Sequence, residues 1–311
     1  MNGHLSVKHL LAIKELTHGD VELIFSMADY FLRQVLSSPT RKAPGMRDVV
    51  VANVFFENST RTKLSFELAA KRLGADVVNF SASGSSVAKG ETLLDTMRNL
   101  LAMKMDVVVL RHSAAGAAHF LSRRINATLI NAGDGAHEHP TQALLDCYTL
   151  RQKFGELRGL RVAIIGDVLH SRVALSDVFA LRLLGAEVRL CAPPTLLPKH
   201  VETLGVGVSH DLDETLRWCD AANFLRIQRE RQHAGLFPST REYTLRYGLD
   251  LRRLEKLNKN VAILHPGPIN RGVELTTEVA DGPQSLILDQ VLHGVAVRMA
   301  VLYLLAGKRF D

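Results

Sequence analysis

The sequence has few cysteines and no paired cysteine motif. Its 311 residues include three cysteines, Cys147, Cys191 and Cys219, which lie far apart and form no Cys-x-x-Cys. An odd, scattered set does not indicate a disulfide framework and is typical of a reduced protein. The N-terminal segment has no apolar run suited to a signal peptide. We therefore expect a cytoplasmic protein.

The sequence also has no uninterrupted membrane-length apolar run and no dense basic stripe. The most apolar late stretch, residues 286–305, contains Asp289, Gln290, His293 and Arg298, so it predicts a buried amphipathic helix. The net charge of +6, from 38 Lys+Arg against 32 Asp+Glu, is modest and spread along the chain. We expect neither membrane nor nucleic acid as a partner. The charge fits an enzyme that attracts small anions.

What is present is a regular alternation of strand and helix patterns. The length suits two domains of about 150 residues each. Near-continuous β-favouring runs, such as residues 49–56, are typical of strands buried on both faces of a parallel sheet. We predict an α/β fold with two doubly wound parallel-sheet domains, residues 1–149 and 150–284, and a C-terminal helix, about 285–311, packing back on the first domain. A long polar loop, residues 228–248, interrupts the second domain.

The first chemical motif, Ser59-Thr60-Arg61-Thr62, directly follows a predicted strand and opens a helix. A helix N-terminus combines unpaired N–H groups with a positive dipole end and so attracts anions. The hydroxyls add donors, and Arg61 adds a planar fork that matches phosphate oxygens. The alternative is an ordinary capped helix with a surface arginine, because Ser and Thr are favoured caps. The motif alone leaves both interpretations open.

A second motif, His139-Pro140-Thr141-Gln142, lies at another loop-to-helix junction after a predicted strand. A histidine that merely caps the helix is the alternative. Nearby side chains capable of metal ligation are Asp134, His137, Glu138 and His139. No helical histidine pair at i,i+4 and no cysteine partner accompanies them, so we expect neither a metal nor a cofactor.

Two loops carry weaker signals. His265-Pro266-Gly267-Pro268 has two prolines around a glycine, which makes a rigid turn able to point main-chain carbonyls at a ligand's amino group. By itself such a sequence is most often only a turn. The loop at residues 81–90 is rich in Ser and Gly and contains Ser85 and Lys89. A lone lysine on such a loop is usually solvated.

Arginines follow three predicted strands: Arg111, Arg172 and Arg226. Ligands of open α/β sheets bind outside the carboxyl ends of the strands. One arginine at such a position would mean little. Three of them indicate a ligand with several negative charges.

Together and in this order, these motifs resemble the aspartate and ornithine carbamoyltransferase family over essentially the whole chain. The aspartate branch is favoured by GDGxHEHPTQ within residues 131–142 and by an RxQxER motif at residues 226–231. His265-Pro266-Gly267-Pro268 also stands in place of the HCLP signature of ornithine enzymes. Lys63, where many members carry Arg, departs from the pattern outside the four-residue core.

The resemblance implies carbamoyl transfer from carbamoyl phosphate to L-aspartate, a step of de novo pyrimidine biosynthesis, through a tetrahedral intermediate. It implies that phosphate is bound by Ser59, Thr60, Arg61 and Thr62, and that the carbonyl oxygen is contacted by Thr62, Arg111 and His139. The implied contacts of the carbamoyl amino group are Gln142, Gly267 and Pro268, and those of the aspartate carboxylates are Arg172, Arg226 and Gln228. Ser85 and Lys89 are implied to enter a neighbouring subunit's site, so a homotrimer is expected. Whether a regulatory chain or a dihydroorotase partner binds stays open.

Two alternatives remain. An ornithine or other amine carbamoyltransferase would need carboxylates for a cationic acceptor, whereas Arg172 and Arg226 are the charged candidates near the second-domain strand ends. A non-enzymatic nucleotide-binding α/β protein is suggested by residues 162–167, which resemble a dinucleotide-binding strand. However, no GxGxxG follows that strand.

Overall fold

A computed structural model describes residues 4–43, 45–81, 90–228 and 239–306. The first half of the chain alternates helices and strands. They are α1 (His18–Tyr30), β1 (Val50–Phe55), α2 (Thr60–Arg72), β2 (Asp76–Ser81), α3 (Leu93–Ala102), β3 (Val107–His112), α4 (Ala117–Ser122), β4 (Thr128–Asp134) and α5 (Pro140–Phe154). The four strands form a parallel sheet in the order β2-β1-β3-β4. The central strands β1 and β3 are buried along most of their length, as their apolar runs predict.

The second half repeats the alternation. Its elements are β5 (Arg161–Ile165), α6 (Arg172–Leu183), β6 (Glu187–Cys191), β7 (Gly207–Ser209), α7 (Leu212–Trp218), β8 (Ala221–Phe224), α8 (Thr240–Tyr247), α9 (Leu251–Glu255), β9 (Ala262–Leu264), α10 (Thr277–Ala280) and α11 (Ile287–Ala306). These strands form a second parallel sheet in the order β7-β6-β5-β8-β9. The predicted class, two doubly wound parallel sheets, is confirmed.

The chain divides into two compact units. The first comprises Met1–Leu145 with Leu292–Asp311, and the second comprises Asp146–Val291. Both boundaries fall inside helices, α5 and α11, rather than at the predicted positions after residues 149 and 284. The later part of α11 thus belongs to the first unit. A helix that crosses a boundary leaves no composition change for sequence analysis to detect.

The predicted polar loop at residues 228–248 is wrong in its second part, because α8 occupies Thr240–Tyr247. The side chain of Ser239 caps this helix by accepting a hydrogen bond from the amide of Glu242. Tyr243 and Tyr247, one turn apart, are buried, and their rings stack with centroids 5.5 Å apart. These two aromatic side chains pack one face of the helix against the protein, while most of its other residues stay exposed or half-buried. Residues 229–238 lie outside the described part of the chain.

Helix α11 explains the most apolar stretch of the sequence. Within the described residues it is one helix that is long and apolar enough to cross a membrane by length and composition. However, 61% of its most apolar window is buried inside the protein. That burial is typical of a core helix, which agrees with the sequence interpretation.

The three cysteines, Cys147, Cys191 and Cys219, are free and buried, which confirms the prediction of unpaired thiols. Burial raises the pKa of Cys191 to about 11 and the pKa of Cys219 to about 12. Burial likewise raises the pKa of Cys147 well above its ordinary value. All three stay protonated at neutral pH, so none is a ready nucleophile.

The second unit contains a buried pair of carboxyl groups, Asp146 and Asp177. The amide of Asn223 donates to both, at 3.3 Å to Asp146 Oδ2 and 2.7 Å to Asp177 Oδ2. Gln290 donates to the other Asp146 oxygen at 2.6 Å. Burial, followed by repulsion from Asp146, raises the pKa of Asp177 well above its ordinary value. We infer that the pair shares one proton, carried by Asp177.

Asp177→Asn is expected to stabilise the protein, and more so at high pH. An acid whose pKa is raised by folding stabilises the native state less as pH rises from the unfolded pKa toward the folded one. Asparagine keeps an acceptor for Asn223 and donates permanently to Asp146. Each unit of pKa shift removed is worth about 1.4 kcal/mol. Thermal unfolding at pH 5 and pH 8 should show a larger gain in Tm at pH 8.

The matched control for this prediction is Asp146→Asn. Both Asp146 oxygens accept hydrogen bonds, from Asn223 and Gln290, so an amide there must set an N–H₂ group against a donor. This variant should lose stability at both pH values. A lower Tm for Asp177→Asn than for the wild type at pH 8 would contradict the shared-proton assignment.

Candidate functional site

Both sheets have a position where the strand order reverses, and the candidate residues lie at these two positions. In the first sheet the reversal falls between β1 and β3, and in the second between β5 and β8. Connections leave to opposite sides there, which opens a crevice beyond the carboxyl ends of the strands.

The N-terminus of α2, which follows β1, has no side-chain cap. Ser59 occupies the cap position with extended backbone, yet its side chain makes no cap hydrogen bond. Its hydroxyl donates instead to Thr62 Oγ1 at 3.0 Å. The first turn carries no acidic residue, and Arg61 is exposed at it. In contrast, the side chains of Thr17, Thr92 and Ser171 cap their helices, so the capped-helix alternative for Ser59 is not supported.

Arg111 lies beside this helix start because of the sheet register. It pairs with Phe55 at the end of β1, and its carbonyl accepts a hydrogen bond from the amide of Phe56 at 2.9 Å. One guanidinium nitrogen donates to the carbonyl of Ala132 at 3.2 Å, and another lies 3.8 Å from Glu57 Oε1. These contacts hold the planar donor group at the carboxyl edge of the sheet.

His139 begins α5, which follows β4. Its carbonyl accepts from the amides of Gln142 at 2.9 Å and Ala143 at 3.3 Å, so its main chain starts the helix. Pro140 follows at a position where a missing N–H is harmless. The His139 side chain is 3% exposed, and Gln142 is also buried. Buried Glu138 accepts from the amide of Ile13 at 2.8 Å, which anchors the turn before His139.

The histidine next to Arg111 adds no positive charge to this edge. Burial lowers the pKa of His112, and the amide of Ala114 donates to its Nδ1 at 2.9 Å. A ring nitrogen that accepts a hydrogen bond carries no proton. His112 is therefore neutral at neutral pH, and the positive charge at this strand end comes from Arg111.

In the second unit, buried Asp167 ties the loop after β5 to the loop after β8. Its Oδ1 lies 2.7 Å from His170 Nδ1, and its Oδ2 accepts from the amide of Gln228 at 3.3 Å. The Gln228 side chain donates to the carbonyl of His170 at 3.2 Å. Gln228 is thus held by this local network, and Arg172 lies two residues after His170, at the start of α6.

The two arginines of this unit differ in exposure. Arg172 is the first residue of α6 and is 4% exposed, while Arg226 lies two residues beyond β8 and is half-buried. Gly166 allows the two loops to approach, because a Cβ there would lie 3.0 Å from the carbonyl of Leu225. Its φ of +116° also disfavours any other residue. The close approach brings the arginine-bearing loops to one end of the sheet.

The turn at His265–Pro268 follows β9. The amide of His265 donates to Gln290 Oε1 at 3.0 Å, and the amide of Gly267 donates to His265 Nδ1 at 2.8 Å. The Gly267–Pro268 peptide bond is cis, and Gly267 has a φ of +67°. The ring of His265 thus holds the turn together. Gly267 and Pro268 remain as the residues of the turn whose main chain is a candidate to bind a ligand.

Glu274 is a site residue that sequence analysis missed. Its buried carboxylate accepts from the amide of Ile227 at 2.8 Å and from the amide of Asn270 at 2.8 Å. It therefore joins the loop after β8 to the loop after β9. Burial raises the pKa of Glu274, although these hydrogen bonds oppose the effect. The available signal was a lone carboxylate between Val273 and Leu275, six residues after Pro268 of the predicted turn.

The predicted residues that the structure describes divide between the two units, near the carboxyl ends of their strands. The set of the first unit is Ser59, Thr60, Arg61, Thr62, Arg111, His139 and Gln142. The set of the second unit is Arg172, Arg226, Gln228, Gly267 and Pro268. Ser85 and Lys89 lie outside the described residues.

Comparison with protein families matches both halves of the chain. Residues 8–152 match the carbamoyl phosphate-binding domain of aspartate/ornithine carbamoyltransferases. Residues 158–305 match the aspartate/ornithine-binding domain of the same family. The two matches together cover nearly the whole chain.

Individual relatives agree with this match. The chain is 61% identical over 308 residues to an aspartate carbamoyltransferase catalytic subunit of Christiangramia forsetii, covering 99% of both chains. Among solved structures, the aspartate transcarbamoylase of Trypanosoma cruzi in complex with carbamoyl phosphate and aspartate has a TM-score of 0.86 at 31% identity, covering 96% of this chain and 97% of that one. The ornithine carbamoyltransferase of Pyrococcus furiosus also has a TM-score of 0.86, at 25% identity, covering 98% and 99%. With both domains matched and most of its residues shared with a catalytic subunit, the chain belongs to the aspartate/ornithine carbamoyltransferase family.

Proposed function

We propose that this protein is an aspartate carbamoyltransferase, which transfers the carbamoyl group of carbamoyl phosphate to the amino group of L-aspartate. The products are N-carbamoyl-L-aspartate and phosphate, in pyrimidine biosynthesis. The observation that carries the proposal is the start of α2, where a helix with no side-chain cap and an exposed Arg61 lies beside Arg111. Such an arrangement suits a phosphate group.

The first unit binds carbamoyl phosphate in this proposal. The amides of the α2 N-terminus and the side chains of Ser59, Thr60, Arg61 and Thr62 hold the phosphate. Arg111, His139 and Thr62 donate to the carbonyl oxygen, and Gln142 accepts from the carbamoyl amino group. Rigid placement matters because the donors must fit the oxygen of the transition state, and each well-placed donor is worth about 3–4 kcal/mol.

The second unit binds the acceptor. Arg172, Arg226 and Gln228 bind the two carboxylates of aspartate, and the carbonyls of Gly267 and Pro268 accept from the carbamoyl amino group. An ornithine side chain is cationic and would be repelled by two arginines. The 61% identity to a relative named as an aspartate enzyme also favours aspartate.

The chemical step needs no covalent nucleophile. The aspartate amine attacks the carbamoyl carbon, and the negative charge that develops on the carbonyl oxygen is stabilised by Arg111 and His139. The C–O bond to phosphate then breaks, and the departing phosphate accepts the proton of the amine. The cysteines take no part because their thiols stay protonated. Holding both substrates in attack geometry contributes about 7–11 kcal/mol.

The acceptor is tested by supplying carbamoyl phosphate with either aspartate or ornithine and measuring N-carbamoyl-L-aspartate and citrulline. We expect product from aspartate alone. Citrulline as the main product would overturn the choice of acceptor while leaving the carbamoyl phosphate site intact. Failure to release phosphate with either amine would overturn the proposal as a whole.

The family resemblance extends the proposal to assembly. The protein acts as a cytoplasmic homotrimer in which Ser85 and Lys89 of one subunit complete the site of the next. Mixing inactive Lys89→Ala chains with inactive Arg61→Ala chains should then restore part of the activity, since some sites contain neither change. A mixture as inactive as either variant would exclude shared sites. Sedimentation should give the mass of three chains.

Glu274→Gln is expected to raise the KM for aspartate by about tenfold and to lower kcat. Both carboxylate oxygens accept hydrogen bonds, so the amide of glutamine opposes a donor and shifts the loops of Arg226 and Gly267. The strained contact should also cost about 1–3 kcal/mol of folding free energy. Steady-state kinetics with thermal unfolding measure both effects. Inhibition by inorganic phosphate should not change, because its ligands lie in the first unit.

Glu278→Gln is the matched control, since this exposed residue lies four positions further on. It should behave as the wild type. A Glu274→Gln enzyme with an unchanged KM for aspartate would show that the carboxylate does not position the loops.

A further inference from the structure

A second group of side chains in the first unit has the composition of a metal site. His119 on α4, Asp134 at the end of β4 and His137 in the following turn each offer one ligand atom, and these atoms lie within 4.8 Å of one another. The sequence predicted no metal because the local run from Asp134 to His139 has no suitable partner. The missing ligand, His119, comes from a different helix.

The contacts within this group are close. His137 Nδ1 lies 3.1 Å from Asp134 Oδ2, and the rings of His119 and His137 meet edge to face with centroids 5.8 Å apart. Glu15 Oε1 lies 2.9 Å from His119 Nε2. Two imidazoles and the Asp134 carboxylate therefore converge, and Glu15 lies against His119 from a third segment of the chain.

The group is held in place by its surroundings. Asp134 is 1% exposed, and its carboxylate accepts from the amide of Gly116 at 2.6 Å and from Asn131 Nδ2 at 2.9 Å. Gly135 presses against the loop before α4, since a Cβ there would lie 2.8 Å from the amide of Ala115. The turn that carries His137 and the helix that carries His119 are thus packed together without any metal.

Solvent reaches the group from one side. The side chains of His137, His119 and Glu15 are 37%, 31% and 40% exposed. A cation can therefore enter from this side. The hydrogen bonds to Asp134 fix the orientation of its carboxylate, as outer-shell partners do for metal ligands.

We propose that His119, Asp134 and His137 bind a divalent transition-metal ion of the Zn²⁺ class, with Glu15 as the fourth ligand. Imidazole and carboxylate ligands suit Zn²⁺, and four protein ligands make a closed, structural site. Mg²⁺ and Ca²⁺ are disfavoured because they require six or more oxygen ligands. The ion would join the segment of Glu15, α4 and the turn before His139, and so stabilise the first unit.

The alternative is a pair of independent contacts, His119 with Glu15 and His137 with Asp134, that never bind a metal together. The two interpretations differ in Zn²⁺ affinity. The experiment uses chelator-treated, full-length protein titrated with Zn²⁺ by calorimetry, with Mg²⁺ as a parallel titrant. The variants are His119→Gln, His137→Gln and Glu15→Gln, and His200→Gln is the control because exposed His200 pairs with Glu202 at 3.5 Å outside the group.

The wild type and His200→Gln should bind one Zn²⁺ per chain with a Kd of about 1 µM or below and should not bind Mg²⁺. His119→Gln and His137→Gln should lose affinity by about 100-fold, and Glu15→Gln by about tenfold. Zn²⁺ should raise the Tm of the wild type by several degrees and leave that of His119→Gln unchanged. Failure of the wild type to bind Zn²⁺, or binding of Zn²⁺ by both histidine variants with the wild-type affinity, would overturn the site.

Because loss of a histidine can also unfold the protein, a second readout uses the unaltered chain. Co²⁺ bound to the wild type should give the intense visible absorption of a tetrahedral site with nitrogen ligands, and Zn²⁺ should displace it. Weak absorption, as given by an octahedral and mostly aqueous ion, would count against the four-ligand assignment. So would intense tetrahedral absorption that is the same in Glu15→Gln as in the wild type.

Discussion

Arg61→Ala is expected to lower kcat/KM for carbamoyl phosphate by about 10²–10³-fold while the protein keeps its fold. Arg61 lies in the first turn of α2, where the side chain is exposed and the helix has no side-chain cap. Its loss removes a charge-assisted, two-pronged contact to phosphate, and each hydrogen bond to a charged group is worth about 1.5–3 kcal/mol. Because the residue is exposed, its removal leaves no cavity in the core.

Steady-state kinetics and inhibition by inorganic phosphate measure this effect. Arg61→Lys should recover only part of the activity, because an ammonium group is a point charge without the planar fork. The matched control is Arg98→Ala, an exposed arginine on α3 that lies 3.8 Å from Asp95. That variant should match the wild type. Activity of Arg61→Ala within about threefold of the wild type would remove α2 from the proposed phosphate site.

His139→Ala is expected to lower kcat by about 10²–10³-fold with little change in the affinity for phosphate. Loss of one donor to a developing oxyanion typically costs about 2.7–4 kcal/mol in the transition state. The phosphate ligands lie on α2 and are not touched by this change. A lower kcat combined with unchanged phosphate inhibition therefore separates stabilisation of the oxyanion from substrate binding.

His139 is buried, so the variant also leaves a cavity and should lose some stability. Thermal unfolding must show that the variant is folded at the assay temperature. His139→Gln serves as the second variant, because its amide can still donate and should retain more activity than alanine. If both variants kept the wild-type kcat, His139 would be a helix-start residue and not a ligand of the carbonyl oxygen.

The sequence by itself determined the alternation of strands and helices and the motifs at the strand ends. Buried parallel strands require continuous apolar runs, which is why β1 and β5 could be located without a structure. The sequence also decides the acceptor, because the ornithine and aspartate enzymes compared above share the same TM-score of 0.86 with this chain. The fold is common to both enzymes, so the choice of acceptor depends on side chains and not on the fold.

The tertiary structure alone decided how distant residues combine. It showed that Ser59 leaves the start of α2 without a side-chain cap. It also showed that Glu274 joins the loop of Ile227 to the loop of Asn270, which lies 43 residues later in the chain. It also paired Asp146 with Asp177 and brought His119 to Asp134. Local patterns report the backbone conformation of neighbouring residues, whereas these contacts depend on sheet register and helix packing between segments far apart in the chain.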